Sequence, residues 1–175
     1  MLATFEHEVL ARDGQRFRLR PIRPDDAPRL VALYDRLGQD SRYQRFFALM
    51  RRLPPDWARL LATVDFERRF ALVLERGDGD DEVAVIAVAR YEPTAAADEV
   101  EVAFAVEDRW QGRGLGTLLV RELFRAAVAN GYTKLRAYVL ANNRRMLRLL
   151  AREAEVRDRS LERGIVSLSL TPRSP

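Results

Sequence analysis

Apolar residues recur with two different periods along the chain, and the changes of period mark the predicted strands and helices. Short runs rich in Val, Ile, Leu, Phe and Tyr and bounded by Gly, Asp or Pro are typical of β-strands. The turn pair Asp13 and Gly14 joins the first two runs into a hairpin, and residues 76–81 form the turn after the third. The predicted strands cover residues 8–11, 16–22, 70–75, 82–92, 99–106, 134–140 and 164–170.

Apolar residues spaced three and four positions apart predict helices between these strands. Pro24 and Asp26 signal the start of the first helix and Gly38 its end, while Pro54 and Pro55 open the third. The predicted helices cover residues 24–37, 41–47, 54–61, 114–130 and 143–153. Since the chain has no repeat and no long linker, the sequence predicts one α/β (α+β) domain over residues 1–175, built on a mixed sheet.

Composition narrows the class of protein. The 175 residues are 47% hydrophobic and 32% charged, and no apolar run approaches the length of a membrane helix. The acidic N-terminal segment is unlike a secretory signal, so we expect a cytoplasmic protein that does not span a membrane. Because the chain has no cysteine, disulfides, thiolate metal sites and a cysteine nucleophile are excluded, and we predict no metal site.

The charge pattern argues against a nucleic-acid-binding protein. The 30 basic and 26 acidic residues leave a net charge of only +4, and the two signs are interleaved instead of clustered. Lys134 is the only lysine, so arginines set the pI of about 9.9. A scarcity of lysine suits an enzyme that modifies lysines, but codon usage or adaptation to heat would produce it as well.

A glycine-rich turn between a predicted strand and a predicted helix is the strongest chemical signal. In residues 111–117, QGRGLGT, glycines alternate with larger residues directly before the apolar helix. Several backbone N–H groups are therefore unobstructed at a helix N-terminus, where anions and phosphates bind. The alternative is a plain tight turn, but the flanking strand and helix favour phosphate binding.

Three phosphate-binding motifs compete for this turn. A Walker loop requires a Gly-Lys-Ser/Thr ending, and a dinucleotide fingerprint requires an acidic residue about 20 positions later, so both fit poorly. The third motif is Gln/Arg-x-x-Gly-x-Gly/Ala, which Gln111, Gly114 and Gly116 match completely. On this motif the chain resembles the Gcn5-related N-acetyltransferase (GNAT) superfamily.

The wider sequence is similar to the acetyltransferase domain of bacterial protein lysine acetyltransferases over nearly the whole chain. That resemblance implies a mostly antiparallel, twisted sheet flanked by helices, with a splayed central strand pair at the cofactor site. Relatives often carry a fused regulatory domain, and this chain is expected to be a stand-alone version. The segments that carry the resemblance are residues 19–27, 41–47, 53–73, 99–106 and 140–150.

The resemblance also implies an activity: transfer of an acetyl group from acetyl-CoA to a protein lysine ε-amine in a ternary complex, with coenzyme A as product. One alternative is an acetyltransferase acting on a small amine such as an antibiotic, polyamine or amino acid. A second alternative is a non-catalytic acyl-CoA-binding regulatory module. We expect a monomer or homodimer, with neither nucleic acid nor membrane as a partner.

The expected contacts with acetyl-CoA are assigned residue by residue from the family resemblance. The glycine turn is expected to hold the pyrophosphate, and the strand ending in FAV is expected to bond the pantetheine amides through its main chain. Asn143 or the adjacent Asn142 would contact the cofactor from the last helix, and either could equally cap that helix. The expected cofactor-binding residues are Phe104, Ala105, Val106, Gln111, Gly112, Arg113, Gly114, Leu115, Gly116, Thr117 and Asn143.

The expected general base is Glu101, because a lysine amine is protonated at neutral pH and must lose a proton before it can attack. Alternation along residues 99–106 places Glu99 and Glu101 on one face of the strand. Glu101 matches the family's catalytic glutamate, and partial burial would raise its pKa towards neutrality. Glu99 is the fallback. The general acid is unassigned, because Leu150 stands where many relatives have tyrosine.

Overall fold

A computed structural model describes residues 5–48, 50–77 and 83–173 of the chain, and a sheet of eight strands runs through them. The strands are β1 (His7–Leu10), β2 (Arg16–Pro21), β3 (Phe70–Arg76), β4 (Ala84–Pro93), β5 (Glu99–Val106), β6 (Lys134–Leu140), β7 (Ala154–Glu162) and β8 (Ile165–Pro172). Their order is β1-β2-β3-β4-β5-β6-β8-β7, and neighbours are antiparallel except for β5 and β6. This confirms the predicted mixed, mostly antiparallel sheet. Residues 78–82, which include most of the predicted turn and the first residue of the strand predicted over 82–92, lie outside the described residues.

Helices cover both faces of this sheet, because the inner strands are apolar on both faces. The helices are α1 (Ala27–Arg36), α2 (Gln39–Phe46), α3 (Pro55–Ala62), α4 (Leu115–Ala129) and α5 (Arg144–Glu153). Leu72 and Leu74 of β3 pack in the core beneath α4 and α5, while Ala71 and Val73 pack beneath α1 and α3. None of the described helices is long and apolar enough to span a membrane.

The parallel pair β5 and β6 separates partway along its length. The strands pair only from Glu99 opposite Lys134 to Val102 opposite Ala137. Beyond this point β5 remains paired with β4 as far as Val106, and β6 remains paired with β8 as far as Leu140. The last four residues of β5 therefore face a gap in the middle of the sheet. This gap confirms the predicted splayed strand pair.

Strand β7 is an addition to the predicted elements. Residues 154–162 carried no strand signal, because eight of the nine are exposed and no apolar alternation marks them. Only Ala154 is buried, and the strand is held by its antiparallel pairing with β8 at the margin of the sheet. Residues 154–162 therefore form, with β8, a hairpin in which the β7 side chains are exposed.

A buried ion cluster lies where β2 leads into α1. Arg20 is 1% exposed and donates two hydrogen bonds of 2.7 Å to the Asp26 carboxylate, which is fully buried. Glu75 of β3 also accepts from Arg20, and the Arg23 N–H donates to Asp26 at 2.8 Å. Buried charges are tolerated only when paired and hydrogen-bonded in this way. The cluster therefore fastens the start of α1 to the sheet.

Candidate active site

The glycine turn presents an open helix N-terminus. Gly112 has a φ of 82° and Gly114 a φ of 89°, a region that side chains rarely allow, and α4 begins directly afterwards at Leu115. No side chain caps α4, and the first N–H of the helix to find an intrahelical acceptor is that of Leu118, bonded to Gly114 at 3.2 Å. The N–H groups of residues 115–117 are consequently available to an anion.

A cavity of about 540 Å³ connects this helix end to both faces of the sheet through the gap between β5 and β6. On one face it is bounded by α5, with Met146 and Leu149, and on the other by α2, with Gln44 and Arg45. Residues 101–106 of β5 form its floor. The cofactor-binding residues predicted from the sequence that line it are Phe104, Ala105, Val106, Gln111, Gly112, Gly114, Gly116, Thr117 and Asn143.

Two of the predicted cofactor-binding residues do not line the cavity. The Arg113 side chain pairs with Asp13 of the first hairpin and lies 4.8 Å from the ring centre of Trp110. The Leu115 side chain is 2% exposed and belongs to the core. These two residues can offer only main-chain groups to a ligand. Trp110 packs under the turn against Phe17, with ring centres 5.4 Å apart.

Four arginines surround the phosphate end of the cavity, and sequence reasoning missed them. Arg12, Arg145, Arg148 and Arg152 all line it. Arg152 donates to the Thr117 hydroxyl at 2.9 Å, and Arg145 lies 3.5 Å from the Gln111 amide oxygen. Three of the four recur along α5 with helical spacing, a signal that the sequence did offer. Their charge adds to the α4 dipole in favouring an anion.

The β5 edge at the gap has free main-chain groups. Glu107 donates its N–H to Ile86 of β4 at 2.9 Å. Since bonds in an antiparallel ladder serve alternate residues, the main chains of Phe104 and Val106 point away from β4 and into the gap. The Val106 carbonyl accepts from the Gln111 side chain at 3.0 Å. The Phe104 N–H and C=O and the Val106 N–H therefore face the cavity without a strand partner.

The two glutamates of β5 have different environments. Glu99 is 9% exposed, binds the Arg136 guanidinium at 2.9 Å and does not line the cavity. Glu101 lines the cavity, and partial burial raises its pKa; nearby Arg45 opposes this rise and Glu92 adds to it. A carboxylate with a raised pKa is a better proton acceptor near neutral pH. Of the two, Glu101 alone has the access that a general base needs.

The end of β6 and the start of α5 complete the cavity. The Asn143 side chain accepts from the Met146 N–H at 3.1 Å, so this residue caps α5 while lining the cavity; Asn142 does not line it. Leu150 is buried and offers no proton. Tyr138 of β6 is 44% exposed and lines the cavity two residues beyond Arg136, whose register partner is Glu101. Its hydroxyl therefore lies on the Glu101 face of the sheet.

Within the described ranges, no group of three or more His, Cys, Asp or Glu side chains could hold a metal ion. The donors that line the cavity are backbone N–H groups, guanidinium groups and hydroxyls, which suit a phosphorylated organic ligand.

Comparison with known proteins agrees with this geometry. Residues 16–153 match the family model described as the acetyltransferase (GNAT) domain. Acetyltransferase PA5475 of Pseudomonas aeruginosa is 30% identical over 135 residues, which are 77% of this chain and 72% of that protein. Acetyltransferase Pat of Mycolicibacterium smegmatis is 33% identical over 147 residues, which are 82% of this chain but only 42% of that protein.

A solved structure is similar along almost its whole length. The GNAT domain of S. lividans PAT superposes with a TM-score of 0.84 at 35% sequence identity, covering 95% of this chain and 96% of that domain. The architecture described above is therefore that of a known fold.

Proposed function

The chain belongs to the GNAT family of acetyl-CoA-dependent N-acetyltransferases, and we propose that its acceptor is a protein lysine ε-amine. One cavity supports the reaction, because it joins the open N-terminus of α4 to the Glu101 carboxylate. The protein acceptor is supported by the 35% identity to the GNAT domain of S. lividans PAT and by the resemblance to bacterial protein lysine acetyltransferases. A cytoplasmic location is part of the same proposal.

Acetyl-CoA fits the donors that line the cavity. The N–H groups of residues 115–117 and the arginines Arg12, Arg145 and Arg148 suit its phosphates. The free main-chain groups of Phe104 and Val106 suit the amides of its pantetheine arm. When bound, acetyl-CoA supplies an acetyl group activated as a thioester.

Groups of the protein would then transfer the protons of the reaction and stabilise the negative charge that develops. The Glu101 carboxylate would accept a proton from the acceptor amine, directly or through water, because a protonated amine cannot attack. The Tyr138 hydroxyl would hold the proton that the leaving sulfur requires, in place of the tyrosine that Leu150 replaces. The Val106 N–H would stabilise negative charge that develops on the carbonyl oxygen.

The experiment that tests the proposed acceptor compares proteins with small amines. The full chain is incubated with acetyl-CoA and either a cell lysate or polyamines, amino acids and aminoglycosides, and products are identified by mass spectrometry. We expect site-specific acetyl-lysine in proteins, with a kcat/KM above that for every small amine. Faster turnover of a small amine would assign the small-molecule alternative, and acetyl-CoA binding without any acetylated product would assign the regulatory module.

Replacing Gly114 with alanine is expected to weaken coenzyme A binding about tenfold. The new methyl group would lie 3.2 Å from Cγ of Arg12, and the φ of 89° would strain the first N–H groups of α4. Calorimetry with coenzyme A measures the change. Gly131→Ala is the matched control, since its φ is 86° and nothing lies within 4 Å of the added methyl. Equal weakening in both variants would show that general destabilisation, not the phosphate site, is responsible.

Replacing Tyr138 with phenylalanine is expected to lower kcat about tenfold or more, with little change in the Kd for acetyl-CoA. The variant keeps the ring but loses the hydroxyl that can deliver a proton. Steady-state kinetics at saturating acetyl-CoA measure the change. Tyr43→Phe is the control, because Tyr43 is exposed on α2 and does not line the cavity. An unchanged kcat in Tyr138→Phe would remove the hydroxyl from the proposed chemistry.

A further inference from the structure

Arg45 is a cation that has no hydrogen-bond or ion-pair partner among the described residues, and it lies at the end of the cavity near Glu101, where the acceptor would enter. It lies in the last turn of α2, is partly buried, and lines the cavity on the face that carries Glu101. Its guanidinium lies 4.8 Å from the centre of the Phe46 ring, but it forms no hydrogen bond or ion pair with any residue in the described part of the chain. The five N–H donors of the Arg45 guanidinium therefore have no acceptor among the described residues.

The neighbouring carboxylates do not satisfy Arg45. Glu92 is engaged by Arg69 at 2.7 Å and by Arg90 at 2.9 Å, so both of its oxygens are occupied. Glu101 influences Arg45 electrostatically but forms no ion pair with it. Burial and the charge of Arg90 lower the pKa of Arg45 to about 10, against the opposing effects of Glu101 and Glu92. The Arg45 guanidinium is therefore charged at neutral pH although it is partly desolvated.

The position of α2 separates Arg45 from the phosphate end of the cavity. Ser41, one turn earlier in α2, bonds the Gln111 side chain at 3.2 Å, so the first turn of α2 lies beside the glycine turn. Arg45 lies further along the helix, near Glu101. A phosphate held at α4 therefore lies away from Arg45, and the Arg45 guanidinium faces the part of the cavity next to Glu101, where the acceptor amine would enter.

We propose that Arg45 binds a carboxylate that accompanies the acceptor amine, so that the preferred acceptor is a protein lysine next to an acidic residue. This inference rests on the proposed acetyl transfer, since it assumes that the amine is delivered to Glu101. The lysine amine of the acceptor would then lie at the Glu101 carboxylate and the flanking carboxylate at the Arg45 guanidinium. Each charged group of the acceptor would therefore meet a group of opposite charge. Guanidinium groups bind carboxylates in a bidentate geometry that also fixes orientation.

The test uses peptides that contain one lysine flanked by either glutamate or glutamine. For the unmodified protein, kcat/KM is expected to be about tenfold higher for the glutamate peptide. In Arg45→Gln the ratio should fall to about one, and in Arg45→Glu it should favour peptides with a flanking arginine. Arg51→Gln loses the same charge from an exposed site that does not line the cavity, and should keep the tenfold ratio. Comparing two peptides with one enzyme cancels any effect of the substitution on Glu101 or on stability.

A second pair of acceptors identifies the source of the carboxylate. Nα-acetyl-lysine and its C-terminal amide differ only in a carboxylate near the amine; a preference confined to this pair would assign Arg45 to a small-molecule acceptor. Calorimetry of peptide binding tests the carboxylate site at Arg45 separately from the proposed acetyl transfer. A glutamate preference in binding that depends on Arg45, without acetyl transfer, would support the carboxylate site and contradict the proposed function. Equal binding and equal turnover of both peptides would overturn the carboxylate site.

Discussion

Replacing Glu101 with glutamine is expected to lower kcat/KM for amine acetylation about 100- to 10,000-fold, the usual effect of removing a general base. Glutamine keeps the shape of the side chain but cannot accept the proton of the amine. Because Glu101 is not part of the core and binds no cofactor phosphate in our proposal, the Kd for acetyl-CoA should stay nearly unchanged. Stopped-time assays with a peptide acceptor, together with calorimetry, measure both quantities.

Glu99→Gln is the matched control, because it makes the same change on the same face of β5. Glu99 is bound to Arg136 outside the cavity, so its replacement should leave turnover within a few-fold of the unmodified protein. The pH profile adds a second readout. Since burial raises the pKa of Glu101, activity should be lost as pH falls through a value above that of an ordinary glutamate. If Glu99→Gln were the more damaging change, the assignment of the base would have to move.

Replacing Asp26 with asparagine is expected to destabilise the fold by about 3 kcal/mol, because it leaves the buried Arg20 guanidinium without a full counter-charge. Thermal unfolding followed by circular dichroism should show a Tm lower by roughly 6–12 °C. Asp25→Asn, at the exposed neighbouring position, should change the Tm by much less. Equal shifts in the two variants would show that the ion cluster contributes little.

The contribution of Asp26 depends on pH in a defined direction. Burial alone would raise its pKa, but the bonds from Arg20 and from the Arg23 N–H outweigh burial and hold the pKa below its usual value. A carboxylate with a lowered folded-state pKa contributes its stability above the unfolded pKa, near 3.9, and loses it as pH falls through the folded value. The difference in unfolding free energy between Asp26→Asn and the unmodified protein should therefore be full at neutral pH and shrink in acid.

The glycine turn and the face of Glu101 could be predicted from the sequence because both depend on local geometry. Gly112 and Gly114 adopt positive φ within one continuous strand-turn-helix segment. Alternation along β5 sets the side of the sheet on which Glu101 lies without any knowledge of the neighbouring strands. The gap between β5 and β6 could be predicted only from the family resemblance, since the sequence of a single strand carries no signal for it.

The remaining parts of the site depend on contacts between segments that are distant in the sequence. Arg12 reaches Gly114 because the first hairpin packs on the glycine turn, where the Arg12 N–H bonds Arg113 at 3.0 Å. Arg45 reaches the cavity because α2 lies across β5. Strand β7 escaped prediction for a different reason: its side chains are solvated, and hydrophobic alternation cannot reveal a strand that buries nothing.

The unpaired edge of β5 has a consequence for what can enter the protein. An open strand edge at the margin of a sheet is a template for any extended polypeptide and favours aggregation. Here the edge is interior: β4 pairs with its other side, and β6, which pairs with β5 only as far as Val102, lies across the gap. An incoming β-strand would need room for side chains on both faces of the sheet, where residues of α2 and α5 already line the cavity. A slender, unbranched arm that carries amides, such as pantetheine, can occupy the gap. The unpaired main-chain groups of β5 are thus available to such an arm, while the surrounding elements hinder pairing with a peptide strand.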